Sequence, residues 1–444
     1  MNKLRRPAVL AIALALAIAS HASAAYRVSV WIPPWDQSAL TSIQLHKADE
    51  SNPVWYSWNA DGSIAKNWNA ENSSWRAAMT GSALLPTIQN VVNKSFDANA
   101  VQTMLATAPS REAHAEAVFQ LVVGNAFDGI DVDYERIPAA SRANFTAFIQ
   151  TLGAKLHGAG KKLSVTVYAK TSDVTWNGAG AEDWPAIGGA ADSVKIMAYD
   201  YHWSSSSAGA ITPLDWLDSV VTYAEGTIAK SKIIVGLPWY GYDWSATAGS
   251  TASYASATQV ALNNGVTIGR DANSEATYTY NGHTVFFQDA TSYAKKVDLI
   301  KQKHSGVAGF AHWASGVEDP GIWNVIKGNG VPTPAQPPPP APAADFSITG
   351  PNVLTVTLGG ETVGDYRVTA INGFNGTPAM TVLPSAFNGV LAPQAPLSLR
   401  VAAPAFTTPG TYQVTLRFTS GSLVHDAVVT IVVNGQVRRR AASK

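Results

Sequence analysis

Eight short apolar runs punctuate the first three quarters of the chain: Val28–Ile32, Val54–Trp58, Ala83–Ile88, Gly129–Tyr134, Leu163–Tyr168, Ser193–Tyr199, Lys232–Trp239 and Val307–Trp313. Their length and apolar continuity predict buried strands. Helical patterns lie between them. Behind Ser141, a candidate cap, Phe145, Phe148, Ile149, Leu152 and Leu156 recur at i, i+3, i+4, i+7 and i+11, and Tyr293, Val297 and Ile300 mark another helix. Strand and helix alternating in this way predict an α/β fold, a (β/α)8 TIM barrel whose functional groups gather at the C-terminal ends of the strands. The gap from Tyr242 to Gln288 holds a strand-like pair, Thr277–Tyr280 and Thr284–Phe287, about Asn281-Gly282. It predicts a small inserted β-rich subdomain at about 245–288, able to wall one side of a cleft.

The pattern changes after residues 331–344, VPTPAQPPPPAPAA, which cannot pack a core and read as a stiff polyproline linker. The barrel is therefore expected over 25–330. Beyond the linker Tyr412, Val414, Leu416 and Phe418 alternate with Gln413, Thr415 and Arg417, and similar alternation recurs at Val353–Leu358, Tyr366–Ala370 and Val428–Val432. An all-β sandwich of immunoglobulin-like type is expected over 345–435. A basic tail follows at 436–444, with Arg438-Arg439-Arg440 read as solvated. All 14 tryptophans precede the linker, so the second domain has no indole platform and reads as a spacer or weak adhesion module.

Composition narrows the partners. Lysine plus arginine and aspartate plus glutamate both number 31, so no basic surface for nucleic acid or anionic membrane is indicated. A monomer that acts on a neutral polymer is expected. Lys3, Arg5 and Arg6 precede an apolar run from Ala8 to Ile18 and then Ala22-Ser23-Ala24, the order of a cleaved secretory signal over residues 1–24. That run is shorter than the roughly 20 residues of a membrane span. The mature chain is expected to be secreted or periplasmic. It has no cysteine, and no His, Asp and Glu spacing suggests a metal, so neither metal nor cofactor is expected.

The chemistry concentrates in Asp128-Gly129-Ile130-Asp131-Val132-Asp133-Tyr134-Glu135. On a strand, Asp131, Asp133 and Glu135 share one face while Ile130, Val132 and Tyr134 share the other. Same-face neighbours stand roughly 6.5–7 Å apart, close enough for carboxyls to couple and raise one pKa, as a general acid requires. A solvated edge strand fits poorly with the apolar flanks Leu121-Val122-Val123 and Phe127, and a calcium loop needs glycine where Arg136 stands. Aromatic residues crowd the later strand ends, in MAYDYHW from Met197, in GLPWYGYDW from Gly236 and in His312-Trp313. Flat rings suit the apolar faces of a pyranose, and carboxylates and tyrosines suit its hydroxyl rim. Trp31, Trp35, Trp58, Trp203 and Trp313 are the candidate platforms, with Tyr242 a further substrate contact, whereas Trp216 and Trp323 sit in helical patterns and are expected to be core.

With these residues in view, the chain resembles glycoside hydrolase family 18, the chitinase and endo-N-acetylglucosaminidase family, over roughly Tyr26 to Lys327. Its D-x-x-D-x-D-x-E signature stands here as DGIDVDYE, its M-x-Y-D as MAYD and its final-strand tryptophan as Trp313. GLPWYGYDW and GFAHWASGVEDPGIW look most like the branch of spore-cortex glucosaminidases and chitobiase, without the LysM repeats many cortex enzymes carry. The resemblance implies substrate-assisted hydrolysis of β-1,4 linkages in N-acetylglucosamine polymers, in which the substrate's own acetamido oxygen attacks. Glu135 is then the acid and base, Asp133 the partner of the acetamido N–H, and Asp131 and Asp128 supports, with Asp128 counted among the substrate-binding residues. Tyr199 meets the acetamido carbonyl, Asp200 a hydroxyl and Trp313 the sugar face. Chitin-type polymers are the expected substrate, with peptidoglycan as the alternative and a non-catalytic chitin lectin as the rival of another class. The second domain is similar to immunoglobulin-like modules of exported bacterial proteins, in the run from Tyr366 through Asn372-Gly373-Phe374-Asn375-Gly376 and in Pro409-Gly410-Thr411-Tyr412.

Overall fold

A computed structural model describes residues 26–35, 37–59, 61–67, 70–246, 248–332 and 344–435. The segment expected to be a signal, most of the proline-rich linker and the arginine tail lie outside them. The chain divides into two compact units, Met1–Thr333 and Pro334–Lys444.

The first unit is a closed parallel barrel. Its strands are β1 (Arg27–Ile32), β2 (Glu50–Trp58), β3 (Thr87–Gln89), β4 (Gly129–Asp133), β5 (Lys162–Tyr168), β6 (Ser193–Met197), β7 (Ile233–Pro238) and β8 (Gly309–Trp313). Each pairs in parallel with its neighbours, and β1 closes the ring by pairing with both β2 and β8. These are the eight runs expected from the sequence, with two changes at their ends. The run Ala83–Ile88 is broken into Ala83–Leu84 and Thr87–Gln89, because Pro86 has no N–H for the ladder. The sixth strand stops at Met197, since Asp200 takes a left-handed φ of 59° that no strand continues.

Helices coat the outside of the barrel. In α1 (Ala108–Gly124) His114 meets the Tyr134 hydroxyl at 2.8 Å, and in α2 (Arg142–Gly158) Phe148 stacks on the Tyr134 ring. Phe145, Phe148, Ile149, Leu152 and Leu156 are all buried. Ser141 is at the N-cap of α2 but makes no capping bond, because a 3-10 turn over Ala139–Ser141 leads into the helix. In α3 (Ala290–Lys303) Tyr293, Val297 and Ile300 are buried as expected. No described helix is long and apolar enough to cross a membrane.

The insertion begins earlier than the pattern indicated. A five-stranded antiparallel sheet runs in the order 249–253, 240–244, 283–287, 276–280 and 269–270, and a helix over Tyr254–Asn263 packs on it. Tyr280 pairs with His283 across Asn281-Gly282, whose φ values of 44° and 80° make the tight primed turn that Asn-Gly favours. Buried Glu275 fixes the sheet by accepting from the Ile211 and Thr212 amides and pairing with Lys296 of α3 at 3.0 Å.

The second unit is all β over its described residues. One sheet joins 353–357, 423–434, 410–420 and 379–382, a second joins 361–365, 398–402 and 390–394, and 345–349 pairs with 367–371. Phe346, Leu399, Val401, Val414, Leu416, Phe418, Val429 and Ile431 fill its core.

Barrel closure depends on a tight approach. A Cβ built on Gly309 lies 2.0 Å from the Arg27 carbonyl oxygen. Gly309→Ala is expected to lower the unfolding free energy by about 1–3 kcal/mol, measured in urea through tryptophan fluorescence.

Candidate active site

The acid run is buried because the barrel interior supplies a partner at each level. Asp131, fully buried, pairs in register with Thr87, and Asp133 with Gln89 two residues on, so these polar side chains meet on the inner face. Asp131 accepts from Trp31 Nε1 at 2.9 Å, Thr87 Oγ1 at 3.0 Å and Thr166 Oγ1 at 3.2 Å. The Lys195 ammonium, on β6, stands 3.1 Å from Asp131 and 2.8 Å from Glu50, with its charge over the Trp31 ring. Burial pushes the Glu50 carboxyl up, but Lys195, joined by Arg27 and Asn52, outweighs it and holds the group down at about 2. Ser29 Oγ and Asn52 Nδ2 complete its bonds.

One level higher, Asp133 is 6% exposed and accepts from Gln89 Nε2 at 2.7 Å through one oxygen. Its second oxygen is buried and takes no hydrogen bond among the described residues. Burial, and then the neighbouring charge of Glu135, push this carboxyl well above the ordinary range. At the mouth Asn90 clamps the Glu135 backbone on both sides, accepting from its N–H at 2.7 Å and donating to its carbonyl at 2.8 Å. The Glu135 carboxylate accepts from the Tyr168 hydroxyl at 2.7 Å. Burial raises its pKa, and the Tyr168 bond and Arg136 pull it only partly back. Two adjacent carboxyls with a reluctance to ionise, one at the barrel mouth and one with a buried oxygen left free, can exchange a proton, and Asp133 once ionised can hold a donor.

Tyr199 reaches the same space from beyond β6. Burial, and then the charges of Asp133, Asp200 and Glu135, keep its phenol protonated and hence a donor. Its ring packs edge-on to Tyr240 at 6.2 Å. Asp200 accepts from the Tyr240 hydroxyl and from Tyr242 at 3.1 Å. Half-buried Trp313 ends β8, edge-on to Trp31 at 6.4 Å and to Trp35 at 6.1 Å, and its peptide with Ala314 is cis.

Three of the sequence-based site assignments require correction. Trp31 and Trp58 are each 2% exposed and offer no open face: Trp31 is spent on Asp131 and Lys195, and Trp58 on His114 and Tyr134. Asp128 precedes β4, at the end of the strand away from Glu135, where it accepts from the Leu84 amide. Trp35 and Trp203 are exposed, at 67% and 50%, and Tyr242 is buried behind Asp200. Trp323 is buried as expected, whereas Trp216 is half-buried beneath Tyr201. Tyr168, Gln89, Asn90, Glu50 and Lys195 were missed. The legible signal for Lys195 was a lone charge in the apolar strand SVKIM, and for Gln89 its two-residue spacing from Thr87.

The buried triad is testable by stability. Lys195→Met strands two carboxylates and is expected to cost about 3–5 kcal/mol in urea unfolding, with a smaller loss in Lys195→Met combined with Glu50→Gln. Because the Glu50 pKa is depressed from its ordinary 4.5 to about 2, its pairing stabilises above pH 4.5 and is lost as pH falls toward 2. The stability gap between the protein and Glu50→Gln should close across that window.

Comparison with known proteins agrees with this fold. The model of glycosyl hydrolases family 18 matches residues 94–318, or 225 of 444 residues. The chain is 27% identical over 258 residues to a cortical fragment-lytic enzyme of Bacillus anthracis, covering 54% of this chain and 59% of that protein. It therefore spans about three fifths of that relative's length. A chitinase from Chromobacterium violaceum superposes with a TM-score of 0.61 at 26% identity, covering 68% of this chain and 98% of the other. The fold is also that of the Bacillus cereus spore cortex-lytic enzyme SleL, with a TM-score of 0.64 at 24% identity over 69% of this chain and 74% of that one.

Proposed function

Because the chain belongs to glycosyl hydrolase family 18, a glycosidase family, we propose that it cleaves β-1,4 linkages of N-acetylglucosamine polymers with retention, by substrate-assisted catalysis. The observation that carries this reading is Asp133, whose buried free oxygen lies beside an acid that resists ionisation. A buried oxygen without a partner calls for one, and with Asp133 ionised beside a protonated Glu135 the acetamido N–H of the substrate supplies the donor. Held there, the acetamido oxygen forms a bond to the anomeric carbon as the glycosidic C–O bond breaks, and the Glu135 proton passes to the leaving oxygen. Asp133 stabilises the positive oxazolinium, and Tyr199 donates to the acetamido oxygen. Water then attacks the anomeric carbon, gives its proton to Glu135 and restores the acetamido group. Asp200 and Trp313 bind the hydroxyl rim and the face of the same sugar.

Chitin-type oligomers carry the minimal unit this site needs. Peptidoglycan contains the same unit, and the cortical fragment-lytic relative favours it as a second reading. A lectin has no use for Glu135 in the grip of Tyr168 and Asn90. Action outside the cytoplasm is part of the proposal and rests on the charged, apolar and small-residue order of residues 1–24.

Mass spectrometry of products from acetylated and de-acetylated oligomers and from purified peptidoglycan tests the assignment. Only acetylated chains should be cut, and Glu135→Gln should lose roughly 10²–10⁴-fold of the rate; cleavage of de-acetylated chains would sink the mechanism. The Tyr168 bond favours the ionised form of Glu135, so Tyr168→Phe is expected to move the alkaline limb of the kcat/KM profile to higher pH. A limb that stays in place or moves down contradicts that role.

A further inference from the structure

We infer that Trp176 is the platform for the leaving-group sugar, the pyranose on the far side of the bond that Glu135 protonates; this rests on the hydrolase reading above. An acid that protonates a leaving oxygen stands on the leaving-group side of the anomeric carbon, opposite the attacking acetamido oxygen. Whatever lies beyond Glu135 on its own side therefore faces that sugar. The residue beyond it is Tyr168, whose hydroxyl is 2.7 Å from the Glu135 carboxylate, and against the Tyr168 ring Trp176 packs edge-on at 5.6 Å. Trp176 is nonetheless 50% exposed, which leaves half of its surface open to solvent a single ring away from the acid.

Exposed aromatics are ordinary when scattered. What sets this one apart is how firmly its loop is built. Residues 169–183 turn back on the Glu135 segment: the Gly178 amide donates to the Ile137 carbonyl at 2.7 Å, and Asn177 Oδ1 accepts from the Ala139 amide at 3.1 Å. Gly178 has a φ of 94°, and a Cβ there would lie 2.8 Å from the Tyr168 ring and 3.1 Å from the Trp176 ring, so glycine is what lets both rings close in. Beneath them, buried Glu182 accepts from the Tyr168 amide through both oxygens, at 3.0 and 3.2 Å. Buried Lys170 ties the loop off through the Glu182 and Ala179 carbonyls, at 2.6 and 3.2 Å. The indole is thus held in place before any ligand arrives, which lowers the entropic cost of stacking a sugar on it. A flat, rigid indole suits the apolar face of a pyranose, with hydroxyls left at the rim for solvent.

The test compares two substrates with the same N-acetylated donor and different leaving groups: a tetrasaccharide of N-acetylglucosamine, and the β-fluoride of the N-acetylated disaccharide, whose leaving group has no ring. The protein, Trp176→Ala and Trp176→Phe are assayed on both. In Trp176→Ala the ratio of kcat/KM for tetrasaccharide over fluoride should fall by about tenfold, as loss of an aromatic contact of this kind costs. In Trp176→Phe most of the ratio should return. An unchanged ratio in Trp176→Ala, whether both rates hold or both fall, overturns the subsite and leaves the hydrolase reading standing. If the unmutated protein turns over neither substrate, the hydrolase reading fails and the subsite falls with it.

Discussion

One ammonium inside the barrel makes the acid row tolerable. Asp131 and Glu50 are both removed from water, and an unpaired buried carboxylate is among the most destabilising things a core can hold. Lys195 lies between them, and hydroxyls of Ser29, Thr87 and Thr166 and the Trp31 indole fill the remaining acceptor sites. With the lower carboxylates compensated in this way, the members nearer the mouth have only the neutral donors Gln89 and Tyr168 in direct contact, and burial dominates them. Asp133 and Glu135 both hold their protons more tightly than free carboxyls, and for Asp133 the neighbouring Glu135 is part of the cause. The gradient from a paired interior to an unpaired mouth turns a strand of acids into a candidate acid and base.

The barrel register delivers this gradient. Parallel pairing sets Thr87 beside Asp131 and Gln89 beside Asp133, so the donors rise in step with the acceptors. The mouth is set by loops that borrow rigidity from the strands: Asn90 follows β3 and grips the Glu135 backbone, and Tyr168 ends β5 and holds its carboxylate. Tyr240 and Tyr242 reach in from the inserted sheet to hold Asp200. The site thus draws on the barrel and the insertion, in keeping with residues that the sequence disperses over more than a hundred positions.

Much of this was legible before the structure. Period-two alternation placed Asp131, Asp133 and Glu135 together, and eight apolar runs gave the barrel, because buried parallel strands are the segments whose pattern tertiary context least disturbs. Local turn chemistry gave the Asn281-Gly282 hairpin for the same reason. The misreadings share a cause of another kind. Trp31 and Trp58 lie near strand ends as Trp313 does, and composition cannot say that Trp31 turns inward to serve a carboxylate. Asp128 belongs to the same motif as Glu135 but stands at the other end of the strand, since the five-residue strand between them alone spans roughly 16 Å. Tyr168 ended a legible strand but Trp176 gave no periodic signal, because a loop path through Gly178 brings the two together. Residues brought together by such folding across the barrel mouth carry no local pattern to read.

The most direct measurement of the central claim is the rate on donors whose acetamido group is replaced in steps by mono-, di- and trifluoroacetamido. Fluorine withdraws electrons from the carbonyl oxygen without greatly altering its size. If that oxygen is the nucleophile that Asp133 and Tyr199 position, kcat/KM falls steeply with each fluorine. A rate indifferent to fluorination would mean that another group attacks, and the assignment of Asp133 would be wrong.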